Sequence, residues 1–423
     1  MCYSQNHMSA GEIAIYTITF LAVYVQVFLL VTFFQKRKEL KETTGLPVPV
    51  LDHYPTVAVI VPCWNEEKTV HGTIASLLAL EYPHDKLSVI VVDDGSTDST
   101  WQEISTYEGN PRVHIFRKEN GGKHTAVNFG IDHTDADLIG CLDADSFVQP
   151  DALKRMVHVF NTMPDVMATA PSLIIHNPKT IVQFAQRVEY NMSSYNKKML
   201  SYLDAIHVTP GPFSIFRKEV FQKIGKFRKA HGTEDQEIAY RMQEHHMRIY
   251  HCHEAIVHTS SPDTIKKLFK QRLRWIYGLI QNTIDYRRLI FKTKYGNFSF
   301  YTLPAGIISI CAVVYLSFAL FYNFVIFVIK KINQWSIVGF HGSVSSISFD
   351  PFFINTKTII FVELIIYTLV IFAVIMGSSI TGQKKKLNWH IIPYIALYSV
   401  IAPFWLLKAV WNSLRGRRQP SWR

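Results

Sequence analysis

Four groups of carboxylates and one basic, aromatic cluster hold the chemistry that the sequence offers. Asp143-Ala144-Asp145 places two carboxylates one residue apart, directly after the apolar run Leu138–Leu142. Such a pair can hold Mg²⁺ or Mn²⁺ against a diphosphate, because hard cations take oxygen ligands. Asp93-Asp94-Gly95-Ser96 follows another apolar run; a carboxylate there can accept hydrogen bonds from a base or a ribose. A plain turn followed by a capped helix explains the same four residues equally well. Asn65-Glu66-Glu67 ends a third run, and Asn120-Gly121-Gly122-Lys123 follows a fourth. The glycine pair lets backbone approach a ligand, and Lys123 can meet a phosphate. Thr233-Glu234-Asp235 precedes a helical stretch, Gln236 to Glu244. Thr233 fits as its cap, with Glu234 and Asp235 at its positive end, and Asp235 fits equally as a general base. Gln271-Arg272-Leu273-Arg274-Trp275 supplies a guanidinium, Arg274, for growing negative charge and a flat apolar face, Trp275, for a sugar ring.

His251-Cys252-His253 invites a metal reading, since i and i+2 on a strand face one way. No third ligand lies nearby in sequence, so it is read as part of a strand over Arg248 to Val257. The five cysteines form no C-x-x-C pair, which fits small buried apolar residues in a reducing compartment.

These groups need a scaffold that delivers them to one place. Short apolar runs at Val57–Val61, Leu87–Val92, Val113–Phe116, Leu138–Leu142 and Val166–Ala170 alternate with helical spacing, as over Thr69–Leu80. That alternation predicts a mostly parallel sheet with helices on both faces. Ligands bind such sheets beyond the carboxyl ends of the strands, where these polar groups fall.

Only 18% of residues are charged and 48% are hydrophobic, against about 25% charged in a soluble domain. Lipid explains the excess. The run Ile13 to Phe34 is long enough to span a bilayer, which takes roughly 20 residues. A signal peptide would want a basic start, but the basic residues, Lys36-Arg37-Lys38, come after it. The asymmetry places residues 1–12 outside, the span at 13–34, and a linker at 35–55 inside. A cytoplasmic domain over 56–262 follows, then an amphipathic, basic region at 263–296 suited to a membrane surface. Residues 297–423 hold about three more spans, near Tyr301–Ile329, Ile359–Met376 and Ile391–Val410. Pro393 and Pro403 allow the last to kink or re-enter. Span counting puts the C-terminus outside, whereas the basic tail, Arg415 to Arg423, favours inside. The net charge of +11 gathers beside the apolar runs, which argues against nucleic acid as a partner.

In this order, Asp93-Asp94, Asp143-x-Asp145, Thr233-Glu-Asp235 and Gln271-x-x-Arg274-Trp275 resemble the processive family-two glycosyltransferases. The likeness runs from about Thr56 to Trp275. It implies an α/β GT-A (Rossmann-like) domain with transmembrane α-helices, a UDP-sugar donor, and a growing polysaccharide as acceptor at the plasma membrane. It further implies Asp235 as base, Asp143 and Asp145 at the metal, and Glu66, Asp94, Lys123, Asp143, Glu234, Gln271, Arg274 and Trp275 as substrate-binding residues. Asn120-Gly-Gly-Lys123, Thr209-Pro-Gly-Pro-Phe-Ser214 and the single early span are most similar to poly-β-1,6-N-acetylglucosamine synthases. Pro212 departs from them, standing where they carry a small residue. Single-sugar transfer to a polyprenyl-phosphate carrier is the rival enzyme reading. A degenerate donor-sensing scaffold is the rival without activity. The resemblance leaves open a small accessory membrane subunit and whether the spans export the polymer or only anchor the chain.

Overall fold

A computed structural model describes residues 10–338, 357–383 and 389–416. Lys384-Lys385-Lys386, most of the basic tail, Cys2 and residues 1–9 lie outside the described residues.

The chain enters through α1 (Ala10–Glu42), one helix of 33 residues. Its Leu29, Phe33 and Leu40 are buried against the domain that follows. That domain alternates β1 (Val57–Cys63), α2 (Val70–Leu78), β2 (Leu87–Asp93), α3 (Thr100–Ser105), β3 (Val113–Arg117), α4 (Lys123–Asp132) and β4 (Leu138–Cys141). In β1, β2 and β4 every residue but two is buried, as strands covered on both faces must be. Next come β5 (Ser146–Val148), α5 (Ala152–Thr162), β6 (Val166–Ile175), α6 (Ile181–Tyr202), β7 (Ser214–Arg217), α7 (Lys218–Ile224), α8 (Glu234–Glu244) and β8 (Arg248–Thr259).

The sheet order is β3-β2-β1-β4-β7-β6-β8-β5. The first four strands are parallel, as expected. In the second half β6 and β8 also pair in parallel, but the sheet is mixed: β7 runs antiparallel to both β4 and β6, and β5 runs antiparallel to β8. A strand of four residues, as β7 is, has too little sequence to show a period.

Beyond the sheet, α9 (Ile265–Asp285) leads to α10 (Leu303–Val338), α11 (Lys357–Ile380) and α12 (Ile391–Leu414). Among the described residues three helices are long and apolar enough to cross a membrane: Tyr16–Glu42, Phe298–Ser336 and Ile391–Leu414. The span expected at Ile359–Met376 appears as a shorter apolar stretch, Leu364–Ile380. Pro403 lies inside α12 without dividing it. The apolar face of α9 does not stand bare: Leu268, Leu273 and Tyr277 pack on Trp405, Leu406 and Ala409 of α12. On its other flank α9 touches α8, so it bridges the sheet domain and an apolar helix.

Candidate active site

Two turns after parallel strands build one half of the site. The carboxyl end of β2 delivers Asp93 and Asp94, both buried. Asp94 accepts from the backbone N–H of Gly121 (3.1 Å) and Gly122 (2.8 Å), and from Lys118 Nζ (2.6 Å). Gly122 has φ +92°, a conformation that penalises any side chain. Asp94 therefore fixes the turn that launches α4, whose first residue is Lys123.

Beyond β4, Asp143 and Asp145 flank a tight turn closed by Ser146 N–H donating to the Asp143 carbonyl at 3.0 Å. Lys123 Nζ lies 2.5 Å from Asp143 Oδ1 and 3.6 Å from Glu234 Oε1. Burial alone would depress this ammonium; the two carboxylates outweigh it and hold its pKa above the ordinary lysine value. Among the described residues the Asp145 carboxylate has no ion pair and accepts only from Ser146 Oγ, at 3.2 Å. Burial, then the charges of Asp143 and Glu66, push its pKa up. The donor set fits a hard divalent cation: two carboxylate groups at a cavity wall, one of them raised by burial and then by the neighbouring carboxylates. Mg²⁺ in particular takes one or two carboxylates and fills its remaining positions with phosphate and water. Among the described residues no cluster of three His, Cys, Asp or Glu side chains could hold a metal alone.

The other half comes from α8 and α9. Thr233 does not cap α8 through its side chain, which corrects that expectation. Its hydroxyl donates to the Ala230 carbonyl (3.2 Å) and accepts from Asn282 of α9 (3.0 Å). Gly278 makes this possible, since a Cβ there would collide with Thr233. Arg274 Nη1 donates to the Gly232 carbonyl at 2.8 Å, clamping α9 to the residues before Glu234. The Asp235 carboxyl is pushed up to about 6, by burial first and then by Glu234, against Lys123 and Arg274. Trp275 is stacked under the Arg272 guanidinium at 4.2 Å, and Arg272 is paired to Glu189 at 2.7 Å.

Lys123, Asp143, Asp145, Glu234, Asp235, Gln271, Arg274 and Trp275 line one cavity of about 860 Å³. Of the site residues that the resemblance implied, Asp94 and Glu66 lie outside its lining. Asp94 is sealed under the glycine turn, and Glu66 accepts from Thr69 Oγ1 at 2.9 Å. His251 and His253 are buried, with ring nitrogens engaged by the Ala170 carbonyl (3.1 Å) and Thr44 (2.9 Å). Cys63, Cys141 and Cys252 are buried thiols, while Cys311 on α10 is exposed.

One wall is absent from every sequence motif. Helix α6 contributes Glu189, Tyr190, Ser193, Ser194 and Lys197, and the segment after it contributes His207. Its capping box, Thr180 with Gln183, is the signal that could have revealed it.

The family model described as "Glycosyltransferase like family 2" matches residues 55–278, which is the sheet domain and the first two-thirds of α9. A poly-beta-1,6-N-acetyl-D-glucosamine synthase of Staphylococcus epidermidis is 26% identical over 355 residues, 84% of this chain and 81% of its own. The Staphylococcus aureus enzyme of that name is 30% identical over 230 residues, 54% of this chain and 55% of its own. Among solved structures, mannosyltransferase PcManGT from Pyrobaculum calidifontis, in complex with GDP-Man and Mn²⁺, superposes with a TM-score of 0.58 at 18% identity. The superposition covers 95% of this chain and 99% of that one. With the family match spanning more than half of its length and its carboxylates gathered at one cavity, the chain belongs to glycosyltransferase family 2: it is a glycosyltransferase of GT-A fold.

Proposed function

We propose that the protein is a membrane-bound, inverting polysaccharide synthase that adds N-acetylglucosamine from UDP-N-acetylglucosamine to a growing chain. The observation that carries this is the juxtaposition, in one cavity, of a raised carboxyl (Asp235) with Arg274 and Trp275 on one side and Lys123, Asp143 and Asp145 on the other. The names of the staphylococcal relatives support the sugar and the polymer. The three long apolar helices support a plasma-membrane position, with the site on the cytoplasmic side where nucleotide sugars are made.

In this reading Asp143 and Asp145 would hold Mg²⁺ or Mn²⁺, which when bound neutralises charge on the donor diphosphate. Lys123 sits at the mouth of α4 and adds a cation beside the same phosphates. Arg274 meets charge that grows as the nucleotide leaves. Trp275 offers its face to the acceptor ring, and Asp235 takes the proton from the attacking acceptor hydroxyl. A base near pKa 6 is ionised at neutral pH yet basic enough to accept that proton as the bond forms. Attack from the face opposite the departing diphosphate inverts the anomeric carbon.

The test is product analysis. The full chain in nanodiscs is given UDP-N-acetylglucosamine, and the products are read by mass spectrometry. A ladder of N-acetylhexosamine oligomers is expected. A single sugar on a polyprenyl phosphate, or no transfer with any UDP-sugar, would reject the reading.

A further inference from the structure

Opposite the motif residues, the cavity wall belongs to α6. Glu189, Ser193 and Lys197 follow one another at four-residue spacing, so they stand on one helical face, and all three line the cavity. Neighbours in such a row are about 6 Å apart along the axis, a spacing that suits a sugar ring with its linkage. Glu189 is already committed, since Arg272 donates to it at 2.7 Å and Tyr398 of α12 at 2.5 Å. The end of the row that faces the base is Lys197.

His207 joins it there. The segment carrying His207 is pinned to the base itself: Thr209 donates its N–H (3.1 Å) and its hydroxyl (2.9 Å) to the Asp235 carbonyl. Among the described residues, Nδ1 of His207 is buried with no hydrogen-bond partner. A buried polar atom is normally satisfied by protein or ordered water, and on a cavity wall beside a base a ligand hydroxyl can take that place. The charges are arranged to match. Burial pulls the Lys197 ammonium down to about 8 against the opposing pull of Asp235, which leaves it mostly protonated at neutral pH. Burial and the Lys197 charge push His207 down to about 4, so its imidazole is neutral. One fixed cation and one neutral nitrogen therefore flank the position where an acceptor hydroxyl meets Asp235.

We propose that Lys197 and His207 form the subsite for the acceptor's terminal sugar, and that Lys197 selects a sugar whose nitrogen is acylated over one bearing a free amine. This rests on the polymer-elongating reading above. An N-acetylated sugar offers hydroxyls to the imidazole and an oxygen to the ammonium. A free-amine sugar is itself a cation and brings like charge into a site partly shielded from water, where repulsion is stronger than in bulk. The subsite thus lets a chain end grow while acetylated and stalls one that has lost its acetyl group.

The full chain in nanodiscs, with UDP-N-acetylglucosamine as donor, is offered two β-1,6-linked oligomers that differ only in an acetylated or free terminal amine. The parent is expected to prefer the acetylated end in kcat/KM. Lys197→Met is expected to lose most of that preference and Lys197→Arg to keep it. His207→Ala is expected to raise the acceptor KM about tenfold for both oligomers with kcat little changed, the loss of one good hydrogen bond. UDP affinity, unchanged in all three variants, reports intact folding. The proposal is overturned if Lys197→Met keeps the parent's ratio, or if His207→Ala lowers kcat and leaves acceptor KM alone. Failure of the underlying reading looks different: the parent then elongates neither oligomer.

Discussion

The Lys123 ammonium sits 2.5 Å from Oδ1 of Asp143, joining the glycine turn after β3 to the carboxylate turn after β4. Glu234 lies on its other side at 3.6 Å. One cation thus ties three separate loops together, and each belongs to a different sequence motif.

Removing that cation leaves two carboxylates facing each other in a poorly hydrated place. The side chains of Lys123 and Glu234 are only 11% and 8% exposed. Breaking such a buried pair costs about 3 kcal/mol or more. Lys123→Met should therefore lower the Tm and weaken UDP binding together. Adding Glu234→Gln should restore part of the Tm without restoring UDP affinity, because only the repulsion is relieved. Differential scanning fluorimetry and UDP titration separate the two effects, and an unchanged Tm in the single variant would contradict the ion-pair account.

Asp235→Asn removes the only role that requires proton transfer. Loss of a general base lowers rates by roughly 10²–10⁴, so transfer should all but vanish while UDP affinity survives. The Asp235 carboxyl titrates near 6, above the ordinary value for Asp, so its ionised form lowers the stability of the folded state. That penalty is present above the folded pKa and fades as pH falls through it. The neutral asparagine should consequently raise the Tm at pH 7 and leave it little changed near pH 4. Near-normal synthesis by this variant would remove Asp235 from the mechanism.

The same group sets the pH profile. Catalysis needs the ionised form, whose fraction falls tenfold per unit below the pKa. Transfer by the parent should decline as pH drops through about 6, with unit slope in log rate. A profile flat down to pH 5 would contradict a base held near 6.

Chelation tests the carboxylate turn. Asp145 is raised by burial and by its neighbours Asp143 and Glu66, a repulsion that a bound divalent cation relieves. EDTA should abolish transfer, and Mn²⁺ or Mg²⁺ should restore it. In Asp145→Asn the concentration of Mn²⁺ needed for half-maximal activity should rise by at least tenfold. Full activity in EDTA would show that Lys123 and Arg274 handle the diphosphate alone.

The parallel half of the sheet was legible because β1, β2 and β4 are runs of largely buried apolar residues followed by polar ones, as in Val89–Val92 before Asp93 and Asp94. In the other half β6 and β8 were legible too, and they pair in parallel, but the short antiparallel strands β5 and β7 were not. Ser214–Arg217 is too short for a period, and its place between β4 and β6 is set by long-range pairing. Helix α6 was hidden for another reason. Tyr195 turns to α1, where its hydroxyl donates to the Leu29 carbonyl, and Asn191 meets Ser378 of α11. Lys197 faces the cavity. With three different surroundings around its circumference, it shows no clean apolar stripe. The candidate site was readable where motif carboxylates end strands. It was unreadable where a wall residue such as His207 owes its place to hydrogen bonds made by Thr209 with a helix further along the chain.

Gly278 offers a test in which two known effects oppose each other. On propensity alone, alanine in the interior of a helix is better than glycine by about 1 kcal/mol. Here a Cβ would collide with the side chain of Thr233, which Asn282, one turn further along the same face of α9, holds at 3.0 Å. Relief requires α9 to move away from the start of α8, and overpacking of this kind costs about 1–3 kcal/mol. The collision should win, so Gly278→Ala should lower the Tm. The same shift draws Arg274 and Trp275 away from Asp235 while leaving the Lys123–Asp143 turn in place, so kcat should fall more than UDP affinity. Gly278→Ser should behave alike, being no smaller. A Tm raised by alanine would mean that α9 and Thr233 are not in contact, and would detach the helix of Arg274 and Trp275 from the base it is placed beside.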